Sequence, residues 1–442
     1  MSFVFPRHSK KSLPTVARGE GPFLYDTKGK AYFDGSGGAA VSCLGHSDPA
    51  VTEAIKAQVD TVAFAHTGFF TSEPAEALAE KLVANAPEGL DRVYLVSGGS
   101  EAMESALKLA RQYAFEKGEG RRRHVIARRQ SYHGNTLGAL ATGGNQWRRA
   151  PFAPLLMDTH HISPCYAYRG QETGETAFDY GQRVANELQE AIDELGAENV
   201  LAFVAEPVVG ATAGAVPPVE GYFKRIREIC HANGVLLILD EVMCGMGRTG
   251  TLFACEQDDV TPDICAVAKG LGAGYQPIGA MLCSAEIYNT IRDGSGFFQH
   301  GHTYNGHPTA AAASHAVLTR LVDDGIVRQV VPKGAKLRAA LEERFGQHAN
   351  IGDIRGRGLF LGLEVVADRD TKAPFDPALG IAAKLKAAAF EAGLICYPMG
   401  GTIDGQNGAH VLLAPPFIME DAHISLICDA LETAFNAVLP SV

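Results

Sequence analysis

The sequence predicts an α/β protein built on a mostly parallel sheet. Short apolar runs alternate with amphipathic helical segments along most of the 442 residues, as expected of strands joined by crossover helices. The runs at 200–205, 235–239 and 264–268 are unbroken, which is typical of strands buried on both faces of a parallel sheet. After about residue 330 the helices separate shorter apolar runs, which predicts a second, α+β unit with antiparallel strands.

Composition excludes several classes of protein. The apolar and charged fractions, 46% and 20%, are those of a soluble globular protein. A net charge of −11 argues against nucleic acid as a partner, and no apolar stretch is long enough to span a membrane. The nine cysteines form no CxxC pair, which predicts reduced thiols in a cytoplasmic protein. No metal site is predicted, because the neighbouring His300, His302 and His307 lack an acid or cysteine at ligand spacing.

The N-terminal part of the chain is predicted to pack against another segment instead of folding alone. Two β-like pieces at 23–25 and 31–33 flank a turn and predict a hairpin. Asp48 and Pro49 then predict the start of a helix that runs to about residue 63.

A possible anion site follows the next predicted strand, residues 93–96. Ser97-Gly98-Gly99-Ser100 forms a turn, and an amphipathic helix begins at about Glu101. Free N–H groups and the helix dipole at such a helix start both favour an anion. The alternative is an ordinary turn between a strand and a helix, where Gly and Ser are common.

Between residues 124 and 206 the strand–helix alternation continues. A strand at 124–127 leads to a loop in which Tyr132 is suited to stack on a flat cofactor ring, or is simply a partly buried tyrosine. Residues 158–185 are predicted to be an irregular excursion over the surface, and a helix is predicted from about Glu187. The strand at 200–205 ends at the carboxylate of Glu206.

Two further strand ends carry an acid and an amine. The run at 235–239 stops at Asp240, and the run at 264–268 stops at Lys269, which glycines follow. Ligands of open α/β sheets bind at the carboxyl ends of the strands. A pyridoxal phosphate (PLP) enzyme needs this pair, because the lysine binds the cofactor covalently and the acid holds the proton of its pyridine nitrogen. The alternative is a structural salt bridge at the sheet edge.

The C-terminal part begins after a predicted long helix, which Pro308 opens and which ends at about residue 322. Two short strands are predicted between Lys269 and that helix. Beyond residue 330, strands are predicted at 359–365, 394–397 and 410–413, and a last helix at 422–438.

Taken together, these segments resemble the class III PLP-dependent aminotransferases, in the family's order and over most of the chain. The matching stretches are SGGSEA at 97–102, YHG at 132–134, EP at 206–207, LILDEV at 237–242, AKGLGAGYQPIGA at 268–280, GHTYNGHP at 301–308 and APPF at 414–417.

The resemblance implies a fold type I architecture and a division of the chain into three parts. Residues 51–329 would form the large PLP-binding domain, residues 330–442 the small α+β domain, and residues 1–50 a segment that packs with the small domain. It also implies a homodimer, or a dimer of dimers, in which Thr303 reaches the cofactor phosphate of the partner subunit.

The resemblance further implies the roles of the site residues. Lys269 would bind PLP and later carry a proton, and Asp240 would pair with the pyridine nitrogen. The other cofactor contacts would come from Gly99 and Ser100 at the phosphate, Tyr132 and Val242 on the two ring faces, and His133 and Glu206 near the ring.

The implied reaction is ping-pong transamination through pyridoxamine phosphate. An amine or an ω- or α-amino acid would be the donor, and an oxo-acid the acceptor. Two rival functions remain: a PLP-dependent lyase of the phospholyase type or a racemase on the same scaffold, and a non-catalytic protein of this fold.

One position departs from the amine:pyruvate branch of the family, which carries a mobile arginine where this chain has Tyr397. A desolvated carboxylate needs a cation or several N–H donors. One hypothesis assigns the oxo-acid carboxylate to Arg148, Arg149 or Arg357. The other assigns it to backbone N–H groups of residues 398–408, here called the glycine loop, with help from the Tyr397 hydroxyl. This loop is expected to be mobile and to cover the site.

Overall fold

The computed structural model describes residues 3–10 and 12–440 and contains three β-sheets. The N-terminal sheet is antiparallel and consists of β1 (Val16–Glu20), β2 (Phe23–Asp26) and β3 (Ala31–Phe33). The pairing of β2 with β3 is the predicted hairpin.

The largest sheet has seven strands and forms the centre of the molecule. Its strands are β4 (Arg92–Val96), β5 (His124–Arg128), β6 (Thr159–Ile162), β7 (Val200–Ala205), β8 (Leu236–Asp240), β9 (Ile264–Val267) and β10 (Gly279–Cys283). Their order is β4-β10-β9-β8-β7-β5-β6. β10 is antiparallel to both of its neighbours, β4 and β9, whereas the other neighbouring strands are parallel to each other. This is the predicted α/β architecture, and it brings Glu206, Asp240 and Lys269 to one edge of the sheet.

Helices cover the large sheet and connect its strands. The α-helices are α1 (Gly37–Ala40), α2 (Pro49–Thr61), α3 (Glu73–Ala84), α4 (Gly99–Glu116), α5 (Leu137–Thr142), α6 (Gln146–Arg149), α7 (Ala167–Gly170), α8 (Ala177–Leu195), α9 (Tyr222–Ala232), α10 (Ala285–Asp293), α11 (Pro308–Val322), α12 (Val330–Phe345), α13 (Ile381–Glu391) and α14 (Asp421–Val438). As predicted, Asp48 caps α2, because its side chain accepts from the backbone N–H groups of Ala50 and Val51. Within the described ranges, no helix has the length and apolar character needed to cross a membrane.

The C-terminal sheet is antiparallel, as predicted, and it contacts the N-terminal segment. It consists of β11 (Ile351–Arg357), β12 (Phe360–Val365), β13 (Tyr397–Gly400) and β14 (Ala409–Leu413) in the order β11-β12-β14-β13. The backbone of Phe33 exchanges hydrogen bonds with Gly393 (2.8 Å) and Ile395 (2.9 Å). Phe33 and Leu44 also share an apolar cluster with Leu361.

The structure corrects three predictions about elements. Residues 158–185 are not wholly irregular: β6 forms the sheet edge and α8 begins at Ala177, where the Thr176 side chain caps it. The Thr-His-His-Ile run of β6 is too polar to be recognised as a strand. Among the described residues, one strand, β10, lies between Lys269 and α11, where two were predicted. The last correction concerns β13, which starts at Tyr397, because the apolar residues before it pack on Phe33.

Candidate active site

A cavity of about 470 Å³ opens at the carboxyl edge of the large sheet. Its walls include eight of the nine predicted cofactor residues, namely Gly99, Ser100, Tyr132, His133, Glu206, Asp240, Val242 and Lys269. These residues come from the ends of β7 and β8, the segment after β9, the loop after β5 and the start of α4. The ninth, Thr303, is exposed in the loop before α11 and does not line the cavity of its own chain.

Among the described residues, Lys269 is the only amine that lines this cavity. Burial lowers the pKa of its ammonium, and the nearby Arg148 guanidinium lowers it further, whereas Asp240 and Glu206 oppose the shift. A lowered pKa increases the fraction of neutral amine, the form that acts as a nucleophile or base. The backbone φ of Lys269 is +44°, a left-handed conformation that is rare for a residue with a Cβ and is often found at functional sites.

Asp240 is held from two sides at the base of the cavity. One carboxylate oxygen accepts from the Val242 backbone N–H at 3.0 Å, and the other lies 2.8 Å from Nδ1 of His133. A carboxylate only accepts, so His133 carries its proton on Nδ1. Nε2 of His133 is buried and has no partner within the described part of the chain. The carboxylate keeps lone pairs available for a further donor.

Glu206 is a second buried acid, and burial raises its pKa. Its two carboxylate oxygens accept from the backbone N–H groups of Tyr132 (3.1 Å) and Gly210 (2.9 Å). Glu206 therefore fixes the position of the loop that carries Tyr132.

The start of α4 forms another wall of the cavity. A Cβ built on Gly98 would meet no atom within 4 Å, whereas a Cβ on Gly99 would lie 2.6 Å from Cγ1 of Val242. Glycine at 99 thus lets the helix start approach Val242 closely. The first N–H groups of an α-helix have no acceptor within the helix, so this wall can bind an anion.

These features fit PLP. The cavity combines a buried amine of lowered pKa, an acid with free acceptor capacity and a helix start suited to a phosphate. Lys269 would hold the aldehyde carbon of the cofactor, and Asp240 its pyridine nitrogen. Gly99 and Ser100 would hold the phosphate.

The three arginines proposed for the substrate carboxylate differ in their surroundings. Arg149 donates to the backbone carbonyls of Leu140, Ala141 and Gly143. Arg357 makes a bidentate pair with Asp258 at 2.9 and 3.0 Å.

Arg148 has no comparable partner. Its guanidinium carbon lies 4.5 Å from the centre of the Tyr132 ring, and its Nε is buried without a hydrogen bond. It forms no ion pair with any described residue. Of the three arginines, Arg148 alone is both close to a cavity-lining residue and unpaired.

The glycine loop is extensively hydrogen-bonded. The N–H groups of Gly401 and Gly405 bond to carbonyls within the loop, and those of Gln406 and Asn407 bond to the Asp404 carboxylate. These four backbone donors are therefore not available to a substrate. Burial raises the pKa of the Tyr132 phenol, and Tyr397, which is half-buried just before the loop, raises it further.

Several residues that line the cavity were not identified from the sequence. They are Val41 of the N-terminal segment, Met243, and Gln276, Pro277 and Ile278 before β10. The last three lie within the matched stretch 268–280, which was a usable signal. Val41 had no signal, because its position depends on packing between distant segments.

Comparison with known proteins agrees with this site. The family model described as "Aminotransferase class-III" matches residues 4–435. An uncharacterized aminotransferase of Schizosaccharomyces pombe is 45% identical over 442 residues, which cover 100% of this chain and 96% of the relative.

Two solved structures have the same fold. An (S)-enantioselective ω-transaminase from Thermomicrobium roseum superposes with a TM-score of 0.93 at 35% identity, covering 99% of this chain and 97% of that one. A PLP-bound amine transaminase from an uncultivated Pseudomonas species superposes with a TM-score of 0.92 at 35% identity, covering 99% of both chains. The match over nearly the whole chain, together with a cavity that fits the cofactor, means that the chain belongs to the class III aminotransferases and is an enzyme of PLP-dependent transamination.

Proposed function

We propose that the enzyme transfers an amino group from an amine or an ω- or α-amino acid to an oxo-acid whose carboxylate binds Arg148. One observation carries this proposal: Arg148 lies against Tyr132 with its guanidinium unpaired among the described residues. An arginine can grip a carboxylate in two places. The bonds already made by Arg149 and Arg357 disfavour those two as the binding residue.

Lys269 and Asp240 perform the chemical step in this proposal. PLP, when bound, supplies an electron sink for negative charge on the substrate carbon. Lys269 would take a proton from that carbon and donate it to the former aldehyde carbon of the cofactor. Taking the proton requires the neutral amine, which burial favours. Asp240, held by His133 and Val242, keeps a proton on the pyridine nitrogen.

The remaining proposed contacts position the cofactor. Tyr132 and Val242 pack on the two faces of the ring, and Gly99 and Ser100 bind the phosphate at the start of α4. Glu206 holds the Tyr132 loop in place through the Tyr132 N–H. The Tyr397 hydroxyl, close to Tyr132, assists at the substrate carboxylate.

The test compares acceptors with and without a carboxylate. Purified holoenzyme, charged by a simple primary amine, is offered pyruvate or a neutral aldehyde, and the return of the cofactor absorbance is followed. Arg148→Ala should raise the KM for pyruvate about tenfold or more and leave the aldehyde nearly unaffected. Arg149→Ala is the matched control and should leave both acceptors unchanged. An Arg148→Ala enzyme with a normal KM for pyruvate would refute this assignment and return the glycine loop to consideration.

We also propose a homodimer in which Thr303 reaches the partner's phosphate site. Exposed aromatic residues lie in and against the Thr303 loop: Tyr304 belongs to it, and Phe64 packs edge to face on Tyr304 with ring centres 5.6 Å apart. Phe69 and Phe70, shortly after Phe64 in the chain, are exposed as well. Exposed apolar patches of this kind mark association surfaces. We further propose the domain division at residues 50 and 330, which the contacts of Phe33 support. A cytoplasmic location is also proposed, and the unpaired cysteines support it.

Sedimentation tests the dimer. Dilution into monomer should release PLP, and added PLP should raise the melting temperature by mass action. Thr303→Ala should weaken PLP binding without changing the sedimentation coefficient at high concentration. A monomer that retains PLP tightly would contradict the proposal.

A further inference from the structure

Gln130 connects two segments on the side of the cavity where the oxo-acid carboxylate is proposed to bind. It is buried, lies two residues before Tyr132, and has a backbone φ of +60°. A residue with a Cβ rarely adopts this left-handed conformation, which persists only where the surroundings hold it in place.

The Gln130 side chain uses both ends of its amide. Nε2 donates to the backbone carbonyls of Gly401 (2.6 Å) and Thr402 (3.0 Å) in the glycine loop. Oε1 accepts from Nδ2 of Asn145 at 3.2 Å. Carbonyl oxygens can only accept, so these partners permit a single orientation of the amide.

Asn145 extends this hydrogen-bond network to Arg148. It is the N-cap residue of α6, and its Oδ1 accepts from the Arg148 backbone N–H at 3.2 Å. The glycine loop also packs directly on this turn, since a Cβ built on Gly405 would lie 3.1 Å from the backbone N of Trp147.

We propose that Gln130 is a positioning residue that holds Arg148 beside Tyr132 by joining the glycine loop to the start of α6. Gln130 does not line the cavity, so it does not contact the oxo-acid itself, and its proposed effect is transmitted by Arg148. This inference rests on the proposed role of Arg148.

Gln130→Glu is the decisive variant, because it keeps the shape but replaces the Nε2 donor with an acceptor that faces two carbonyls. It should raise the KM for pyruvate about tenfold and change the half-reaction with a simple amine by no more than about twofold. The matched control is Asn350→Asp: Asn350 is an equally buried amide that donates to the carbonyls of Val366 (3.0 Å) and Ala367 (3.2 Å). Asn350 lies away from α6, so Asn350→Asp should not change the KM for pyruvate relative to the rate of the half-reaction with the amine.

A double-mutant cycle separates the inference from the proposal on which it rests. If Gln130 acts through Arg148, then Gln130→Glu added to Arg148→Ala should change the KM for pyruvate by less than about twofold. If Arg148→Ala alone has no effect, the proposed role of Arg148 fails. If Arg148→Ala raises the KM but Gln130→Glu does not, or if their effects multiply, only the role of Gln130 is refuted.

Amide hydrogen exchange of the full-length enzyme gives a readout that does not depend on turnover. Gln130→Glu should accelerate exchange in both 145–149 and 401–408, whereas Asn350→Asp should accelerate neither. Unchanged exchange in these two segments, or acceleration throughout the large domain, would overturn the inference.

Discussion

The two sides of the cavity are built differently. On the cofactor side, Asp240, Glu206 and Lys269 extend from the ends of adjacent strands of one sheet; both acids are buried and Lys269 is half-buried. On the acceptor side, Arg148 and Tyr397 come from the short helix α6 and the edge strand β13, and both are half-buried.

This difference shows how the protein positions the side chains on each side of the cavity. The sheet positions the groups that are proposed to act on the cofactor, and hydrogen bonds hold the two acids in addition. The acceptor side depends on hydrogen bonds between distant segments, as at Gln130. Substitutions on the cofactor side should therefore reduce the rate constant strongly, and those on the acceptor side should change KM or stability in graded steps.

The largest effect is expected for Lys269→Ala. Turnover should fall by about 10⁴-fold or more, because both the covalent link and the proton carrier are lost. PLP should still bind through its phosphate. Borohydride reduction of the wild-type holoenzyme followed by peptide mass spectrometry should find the cofactor on Lys269, and Lys336→Ala, at an exposed lysine, should behave as wild type. An adduct on another lysine would contradict the roles assigned to all the residues on the cofactor side.

Asp240→Asn should lower the rate constant by about a hundredfold or more, since a neutral amide does not hold the pyridine proton. The shape is nearly unchanged, but the amide oxygen alone must now accept from Val242 and His133, which each use a separate oxygen in the wild type. Single-turnover kinetics with a fixed amine measures the effect. Near-normal turnover would mean that Asp240 does not contact the nitrogen.

Arg357→Ala should affect stability and not acceptor binding. It leaves the largely buried Asp258 without its bidentate partner, at a cost of about 1–3 kcal/mol in the free energy of unfolding. Arg148→Ala breaks no ion pair with a described residue and should cost less than about 1 kcal/mol. Urea unfolding of both variants makes the comparison, and equal losses would contradict the distinction between the two arginines.

A last effect is a pH dependence of stability on the acceptor side. Burial lowers the pKa of His410 from 6.5 to about 3, and its Nδ1 lies 2.7 Å from the Thr402 hydroxyl. The folded state keeps His410 neutral while the unfolded state binds a proton, so the contribution to stability is complete above pH 6.5 and is lost as the pH falls toward about 3.

His410→Gln should reduce this slope by up to about 1.4 kcal/mol per pH unit. Melting temperatures between about pH 7.5 and 5 provide the measurement. Some slope should remain, because burial also lowers the pKa of His161, to about 4. Identical slopes in the wild type and the variant would show that His410 is not responsible.

The cofactor side could be predicted from the sequence because its signals are local. An unbroken apolar run followed at once by Asp240 or Lys269 specifies both the strand and the position of the polar group at its end. The acceptor side could be predicted only as a choice between three equivalent arginines and the glycine loop with Tyr397. What distinguishes them is tertiary: the acid that occupies Arg357 is 99 residues away in the chain, and no local pattern encodes that contact. β6 could not be predicted for the same reason, because its polar run becomes a strand only through its pairing with β5.

The burial of the thiols has a practical consequence. All nine cysteines are buried, and burial raises the pKa of their thiols, to about 11 for Cys43 and about 12 for Cys396. Thiol-reactive dyes need an accessible thiolate, so the native enzyme should remain unlabelled without removal of any cysteine. A single cysteine in place of the exposed Gln406 would then carry one fluorophore, whose emission would test whether the glycine loop changes its surroundings when substrate binds.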